Sequence, residues 1–512
     1  MTHPGIYAVP MRRRHGKQSA GMAVPMVRSF LLVAAVSVAV MAAGCGSSSS
    51  SSKVPSAVAT ELSYFAPGTP FVASLQTKPQ SSAIKNAEAL LAEFPVGGLA
   101  LTAVEDELPA GLSYQSDVKP LYGNPIMLGV LGVAGSASLR QTSVLAVWIT
   151  HSAAKLQAIL KDVPGLTAAG TDDGATVYGA GGAVAFAVDG PTLLFASSKA
   201  DLLAALNRHA HGAGITTADF SKAMGSLPSD SLLETFGSLS SLLATPRAGT
   251  AGKIPWVAAI HSYAAAIDAN ANGLSIQFRL DTSGRSLTSA QLPIASGTAA
   301  PELAGSFPIV VALRDPAQSL GFIEAAAEAV DPGTFGQFDS RESAVKAKTG
   351  YDLNTFAALL TGDLVVETNL TTTMGRAQVS DPASAAAQLT KLPVAVRDIF
   401  RSAKGVKRLP GGFYAITGGR RPFDLGLVGD EFVAGVATPA QLKAFAAAPA
   451  AAAPGAQGSL AARITLLDLL RLTLKKHPGA LVQSVLSTLG DVTGSATATP
   501  GAVTGQLNLS LR

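Results

Sequence analysis

The chain has 512 residues, with 38 Lys and Arg against 34 Asp and Glu, and a single cysteine. One cysteine excludes a disulfide-stapled secreted domain, which needs pairs. The basic excess sits in residues 1–44, which hold five basic residues and no acidic one; the remaining 33 Lys and Arg face 34 Asp and Glu, so no basic patch argues for a nucleic-acid partner.

The first predicted element is a leader. Five basic residues (Arg12, Arg13, Arg14, Lys17, Arg28) precede an apolar run, FLLVAAVSVAVMAA, at 30–43. That run is shorter than the roughly 20 residues a membrane-spanning helix needs. A basic start, a short apolar run and the small exit Ala42-Ala43-Gly44 read as a secretory signal peptide over 1–44. Cys45 follows directly. The junction resembles the bacterial lipobox, which implies cleavage before Cys45 and lipidation of its thiol. Residues 45–61, with six serines at 47–52, then read as a flexible tether. The expectation is an extracytoplasmic protein held at the cell membrane by its N-terminal lipid.

Charged residues are 14% of the chain, against about 25% in an average soluble domain. Past the leader, no apolar run reaches the about 18 residues that read as a transmembrane helix. The body is too long for one small domain, and it carries an internal repeat. PFVASLQTKP (70–79) matches PIVVALRDP (308–316), each an apolar strand ending at proline. NAEAL (86–90) matches AAEAV (326–330). GLSYQSDVKPLYGN (111–124) lies over GYDLNTFAALLTGD (350–363) without a gap, and an apolar strand follows each. SAAKLQAILKDVP (152–164) matches SAAAQLTKLP (384–393), each read as a helix stopped by proline. Leu156, Ile159, Leu160 and Val163 share one helical face.

DGPTLLFASSKADLL (189–203) matches VGDEFVAGVATPAQL (428–442). Ser198 with Asp201 and Thr438 with Gln441 mark matching helix starts, and Pro439 sits where a helix tolerates it. Alternating strands close the two copies, through Ile276, Phe278 and Leu280 and through Leu507, Leu509 and Leu511. The expected fold is α+β: two tandem repeats at 62–285 and 307–512, joined by a polar linker at 286–306. Mainly antiparallel sheets would be covered by helices. The Ala/Pro run at 444–458 reads as a loop within the second repeat.

The segments YFAPGTPFVASLQTKP, AEALLAEFP and SDVKPLYGNP of the first repeat resemble the bacterial envelope lipoproteins grouped as domain of unknown function 3352. The resemblance rests on Asp117-Val118-Lys119-Pro120 followed by Tyr122 and Gly123, and its best part covers residues 62–130. It implies an envelope lipoprotein without an established activity, and it brings no catalytic residues. In the second repeat Phe356-Ala357-Ala358-Leu359 stands at the motif's place.

Other patterns are weaker. Ser82-x-x-Lys85, Tyr122-Gly123-Asn124 and Lys348-Thr349-Gly350 occur in the order of a penicillin-binding serine hydrolase. However, Ser-x-x-Lys recurs at Ser152/Lys155 and Ser343/Lys346. Tyr-Gly-Asn also aligns with Thr361-Gly362-Asp363, a turn feeding a strand. His209 and His211 lack a third ligand and read as a solvated loop after a helix. Asp172-Asp173-Gly174 reads as a hairpin turn. Gly252-Lys253 precedes Ile254, so it fails as a phosphate loop, and the glycines at 179–182 fail as a dinucleotide fingerprint. The Leu-rich stretch ITLLDLLRLTL at 464–474 reads as a buried helix or the lining of an acyl-chain cavity.

These readings leave Cys45 as the one assigned site residue, with no catalytic, cofactor or metal residue. The expected function is a non-catalytic binding or scaffolding lipoprotein, with an envelope protein or wall component as partner. The alternatives are a carrier or sensor of a hydrophobic ligand and, behind it, the serine hydrolase.

Overall fold

The computed structural model describes residues 54–94, 108, 112–133, 142–163, 166–179, 185–240, 249–270, 272–399, 403–419, 421–473 and 480–512. The leader, Cys45, the serine run and residues 180–184 of the glycine-rich loop lie outside the described residues. Among the described residues no helix is long and apolar enough to cross a membrane.

The first half of the chain supplies β1 (Phe71–Leu75), β2 (Ile126–Val133), β3 (Thr142–Ile149), β4 (Thr167–Asp172), β5 (Ala175–Gly179), β6 (Ala185–Asp189), β7 (Thr192–Ala196), β8 (Leu233–Ser238), β9 (Ser262–Asn270) and β10 (Gly273–Asp281). The second supplies β11 (Glu302–Ala304), β12 (Ile309–Leu313), β13 (Leu364–Thr368), β14 (Thr373–Gln378), β15 (Gly405–Arg408), β16 (Tyr414–Thr417), β17 (Phe423–Val428), β18 (Glu431–Gly435), β19 (Ala450–Ala452), β20 (Leu460–Thr465), β21 (Leu489–Thr499) and β22 (Ala502–Leu511).

Twenty of these strands form one sheet, and β11 and β19 pair separately. The fold is therefore α+β, with a large antiparallel sheet and many helices. In the first half the order runs β4-β5-β6-β7-β3-β2-β1-β8-β9-β10. It continues through the second as β22-β21-β20-β12-β13-β14-β18-β17-β16-β15. The halves meet at one antiparallel pair, β10 with β22, where Gln277 stands opposite Gln506.

Helices cover both faces away from this seam. In the first half Leu62, Phe65, Leu202 and Phe220 pack over Val72, Met127, Leu145 and Phe236. The helix Ala153–Asp162 sets Leu156, Ile159 and Leu160 against Trp148 and Phe186, as its spacing predicts. In the second half Leu442 and Phe445 cover Val310, Val365 and Val433. At the seam the side chains alternate. Leu274, Ile276 and Phe278 register with Leu509, Leu507 and Gly505, while Ser275 and Gln277 register with Asn508 and Gln506. One face of the seam is thus apolar and the other polar. The helix Ser82–Ala92 covers one end of the apolar face and Leu292 and Ile294 the other, leaving Leu507 42% exposed between them.

Three sequence expectations change. The helix read as ending at Pro393 runs from Pro382 to Ile399 with the proline inside it. Its apolar face continues past the proline as Ala395, Val396 and Ile399, all buried with Leu389 and Leu392. That burial outweighs the roughly 3 kcal/mol an interior proline costs. Pro393→Ala should therefore raise stability by about 1–2 kcal/mol, less than the full penalty because the helix has already adjusted around the ring. A lower urea midpoint would show that packing requires the proline. The run at 444–458 is not only a loop: Ala450–Ala452 is a strand paired with Glu302–Ala304. The polar linker buries Leu292, Ile294 and Ala295, so it packs against the sheet.

Candidate functional site

A cavity of about 440 Å³ opens beside the seam. It sits where β8 ends, β9 begins and β10 ends. Ser240 and His261 stand on one side; Ser283, Gly284 and Arg285 form the turn after β10. Ala258, Ala259 and Ile260 supply a small apolar floor, and Gly252 completes the wall. Two backbone bonds fix this corner: Leu239 N–H donates to His261 O, and His261 N–H to Asp281 O. Thr282 ties it to the other half, donating from N–H to Gly501 O and from Oγ1 to Pro500 O. Asp281 is buried beneath it and accepts from Ser283 N–H at 2.8 Å. It faces His261 Nε2 at 3.8 Å and Arg279 Nη2 at 4.0 Å. Burial opposes the Asp281 charge, but the Ser283 bonds and these neighbours hold its carboxyl below the usual range.

A second cavity, about 210 Å³, lies between the loop carrying Gly68 and Thr69 and the helix Lys199–Ala210, with Asp201 and Arg208 in its wall. Next to it Ser63 Oγ approaches His209 Nδ1 at 2.5 Å, and His209 stacks on Tyr64 at 4.2 Å. A serine beside a histidine suggests a nucleophile and its base. The hydrogen count argues otherwise. Ser63 Oγ also lies 2.5 Å from Thr60 O, a carbonyl that can only accept. The one hydroxyl hydrogen goes there, so His209 Nδ1 is the donor and leaves Ser63 unactivated. His209 thus belongs to the helix and its packing, not to a solvated loop, and His211 caps the helix end.

The hydrolase pattern is not assembled in this arrangement. Ser82 opens the helix Ser82–Ala92, for which Ser81 is the cap. That helix lies on the first half, where Ala83 and Ala87 meet Ala269. Lys348 belongs to the second half and holds Asp398 at 3.0 Å. Gly350 ends the helix Pro332–Thr349 in the left-handed conformation, a common role for glycine. Ser152 is the cap of the helix Ala153–Asp162, and Tyr122-Gly123-Asn124 forms the turn into β2. Among the described residues no group of three His, Cys, Asp or Glu side chains could hold a metal ion.

The family-like motif holds structure together. Asp117 accepts from Ser113 N–H and pairs with Lys155 Nζ at 3.0 Å, pinning its turn to the helix Ala153–Asp162. Its carboxyl is held low first by the Ser113 N–H and then by Lys155. Gly123 has φ 150°, and a Cβ there would stand 3.1 Å from the His151 ring, so the position requires glycine. Asn124 donates to Ile149 O, and Thr77 donates to Asn124 O. Lys119 reaches only Gln115, at 3.4 Å.

No family model matches this chain, and no curated protein matches it. Among solved structures, crystal form III of TP0453 aligns with a TM-score of 0.27 and 10% identity, over 44% of this chain and 82% of that one. Crystal form I of TP0453 gives 0.26 and 9%, over 44% and 81%. Overlap at this level transfers neither fold nor function.

Composition had not exposed the seam cavity. Its described lining comes from scattered positions within 240–285, small residues apart from Ile260, His261 and Arg285. Asp172-Asp173-Gly174 does form the hairpin turn, with Asp173 and Gly174 both at positive φ. Gly252-Lys253 lies in a short helical turn. The 464–474 stretch is not one buried helix. Ile464 and Thr465 finish β20, the helix runs from Leu466 to Thr473, and Leu472 is 51% exposed. The helix does not line either cavity.

Proposed function

We propose that this chain is a bacterial envelope lipoprotein, anchored by a lipid on Cys45, whose duplicated body binds a partner without catalysis. The observation that carries the binding role is the open cavity beside the seam, whose wall holds Ser240, His261, Ser283 and Arg285. The anchor is supported by the leader, the small exit before Cys45 and the serine run. Kinship with the lipoproteins of domain of unknown function 3352 is part of the same proposal. It rests on the motif from Asp117 to Gly123.

Duplication is supported by the strand orders, which correspond one for one from β4 and β15 inward. Thr438 and Gln441 form a reciprocal capping box, and Ser198 accepts from Asp201 N–H at the matching helix start. The Thr77 bond to Asn124 has a charged counterpart in Arg314 with Asp363 at 3.3 Å. The last hairpins close at Asn270 with Gly273 and at Thr499 with Ala502. Counting from those turns sets Phe278 against Leu507, two residues from the sequence alignment. A shift of two keeps every side chain on its face.

The carrier reading is favoured by exposed Leu472 and Leu507. A stoichiometric lipid-like adduct in native mass spectrometry would put it ahead. The anchored-binder reading is tested in cells fed an alkyne-labelled fatty acid. Wild-type chain should take the label and sediment with membranes. Cys45→Ser should lose the label and leave the membrane fraction. Unlabelled, soluble wild-type protein would overturn the anchor.

A further inference from the structure

We propose that the seam cavity binds a small anion bearing a phosphate or carboxylate group, with Arg285 as its main ligand. The inference stands on the cavity alone and is independent of Cys45. At about 440 Å³ the space falls within the range of small-molecule sites. Its described lining carries the side-chain donors of Ser240, His261, Ser283 and Arg285 and no carboxylate. Arg285 is exposed at the mouth and has no hydrogen-bond or ion-pair partner among the described residues. A guanidinium there offers a planar fork that matches a carboxylate or phosphate edge. His261 and the Ser240 and Ser283 hydroxyls stand in the same wall.

Asp281 is the carboxylate that would repel an anion, and its charge is already engaged. It accepts from Ser283 N–H, and Arg279 and His261 flank it. Among the described lining residues, the one Lys, Arg, Asp or Glu side chain is Arg285. The floor of Ala258, Ala259 and Ile260 would seat a short carbon skeleton while the anionic group meets Arg285. A neutral apolar ligand would cover the Arg285 guanidinium and offer it no acceptor.

The test uses the full chain, titrated calorimetrically at low salt with two probes. One is inorganic phosphate. The other is dihexanoyl phosphatidylglycerol below its micelle concentration. Saturable binding of at least one probe is expected, weakening as salt rises because the contact is partly solvent-exposed. Arg285→Gln should weaken it at least tenfold, while Lys199→Gln, on a helix away from the cavity, should leave it unchanged. Tighter binding of the diester would identify a lipid headgroup as the source, and tighter binding of phosphate a free anion. No saturable binding of either probe up to about 20 mM would overturn the proposal. Equal weakening by Arg285→Gln and Lys199→Gln would overturn it too, by exposing non-specific attraction. Arg285 is a rim residue, so the thermal melt of its variant should match wild type.

Discussion

Replacing Arg376 with methionine should cost the folded state about 3–5 kcal/mol, read from urea denaturation. Arg376 sits on β14 and is 8% exposed. Its Nη1 donates at 2.8 Å to three carbonyls, those of Phe445, Ala446 and Ala448. These oxygens close the helix Pro439–Ala446, where the last turn lacks intrahelical partners and carries the negative end of the dipole. The guanidinium also lies 5.4 Å from the Phe445 ring centre. Methionine fills much of the volume but removes the donor from the part-buried Ala446 and Ala448 carbonyls, while Phe445 O keeps the Ala448 N–H. Arg376→Lys should recover less than half of the loss, because one ammonium cannot reproduce the planar fork. A loss below about 1 kcal/mol for the methionine variant would mean that water replaces the guanidinium at the helix end.

Much of the fold was legible because it depends on local rules. Apolar runs ending at proline identified β1 and β12, and alternation the closing strands, since period two needs only one buried face. Thr438 with Gln441 and Ser198 with Asp201 announced their helix starts, because a cap is made within four residues. What failed depends on contacts between distant residues. Pro393 ends a helix by local rules, but Ile399 and Val396 have a core to reach. Ala450–Ala452 reads as low-complexity sequence until Glu302–Ala304 lies beside it. The pairing of β10 with β22 joins residues more than 200 positions apart, and neither strand's pattern names its neighbour. The cavity likewise gathers Ser240, Gly252, His261 and Arg285 from separate segments, so Arg285 had no motif to mark it. The motif that did stand out, Asp117 through Gly123, is conspicuous for a structural reason: a carboxylate pinning a turn and a glycine against a histidine ring.

Between pH 4.5 and 7 the protein should lose stability as pH rises, in a component that Glu234→Gln removes. Glu234 begins β8, and burial pushes its carboxyl up to about 7 against the N–H bonds of Ser231 and Asp230, which lower it. Asp230 and Asp268 face it, and burial raises Asp268 as well. The surrounding bonds hold the charges together. Glu234 Oε1 accepts from Asp230 N–H at 2.9 Å, Gln76 donates to Asp230 at 2.7 Å, and Ser231 Oγ donates to Asp268 at 2.8 Å. A carboxyl with a raised folded-state pKa binds more protons folded than unfolded across the window between the two values. Stability then falls with rising pH there, and the loss is complete above the folded value. From the ordinary 4.5 to about 7 this amounts to roughly 3 kcal/mol.

Other carboxylates act in the opposite sense at lower pH. Lys346 pulls Asp352 down to about 2, so its contribution is present above the ordinary 3.8 and is lost as pH falls through 2. Burial raises other carboxyls in the same sense, Glu61 and Asp268 among them, so the Glu234 component is read as the difference between wild type and Glu234→Gln. Glutamine keeps an oxygen for the Asp230 and Ser231 N–H groups and removes the charge. Glu234→Gln should therefore match wild type below about pH 4.5 and exceed it by about 2–3 kcal/mol at pH 8. Denaturant midpoints of both chains at pH 4.5, 6 and 8 provide the test. Parallel curves across that range would mean that Glu234 titrates near its ordinary value.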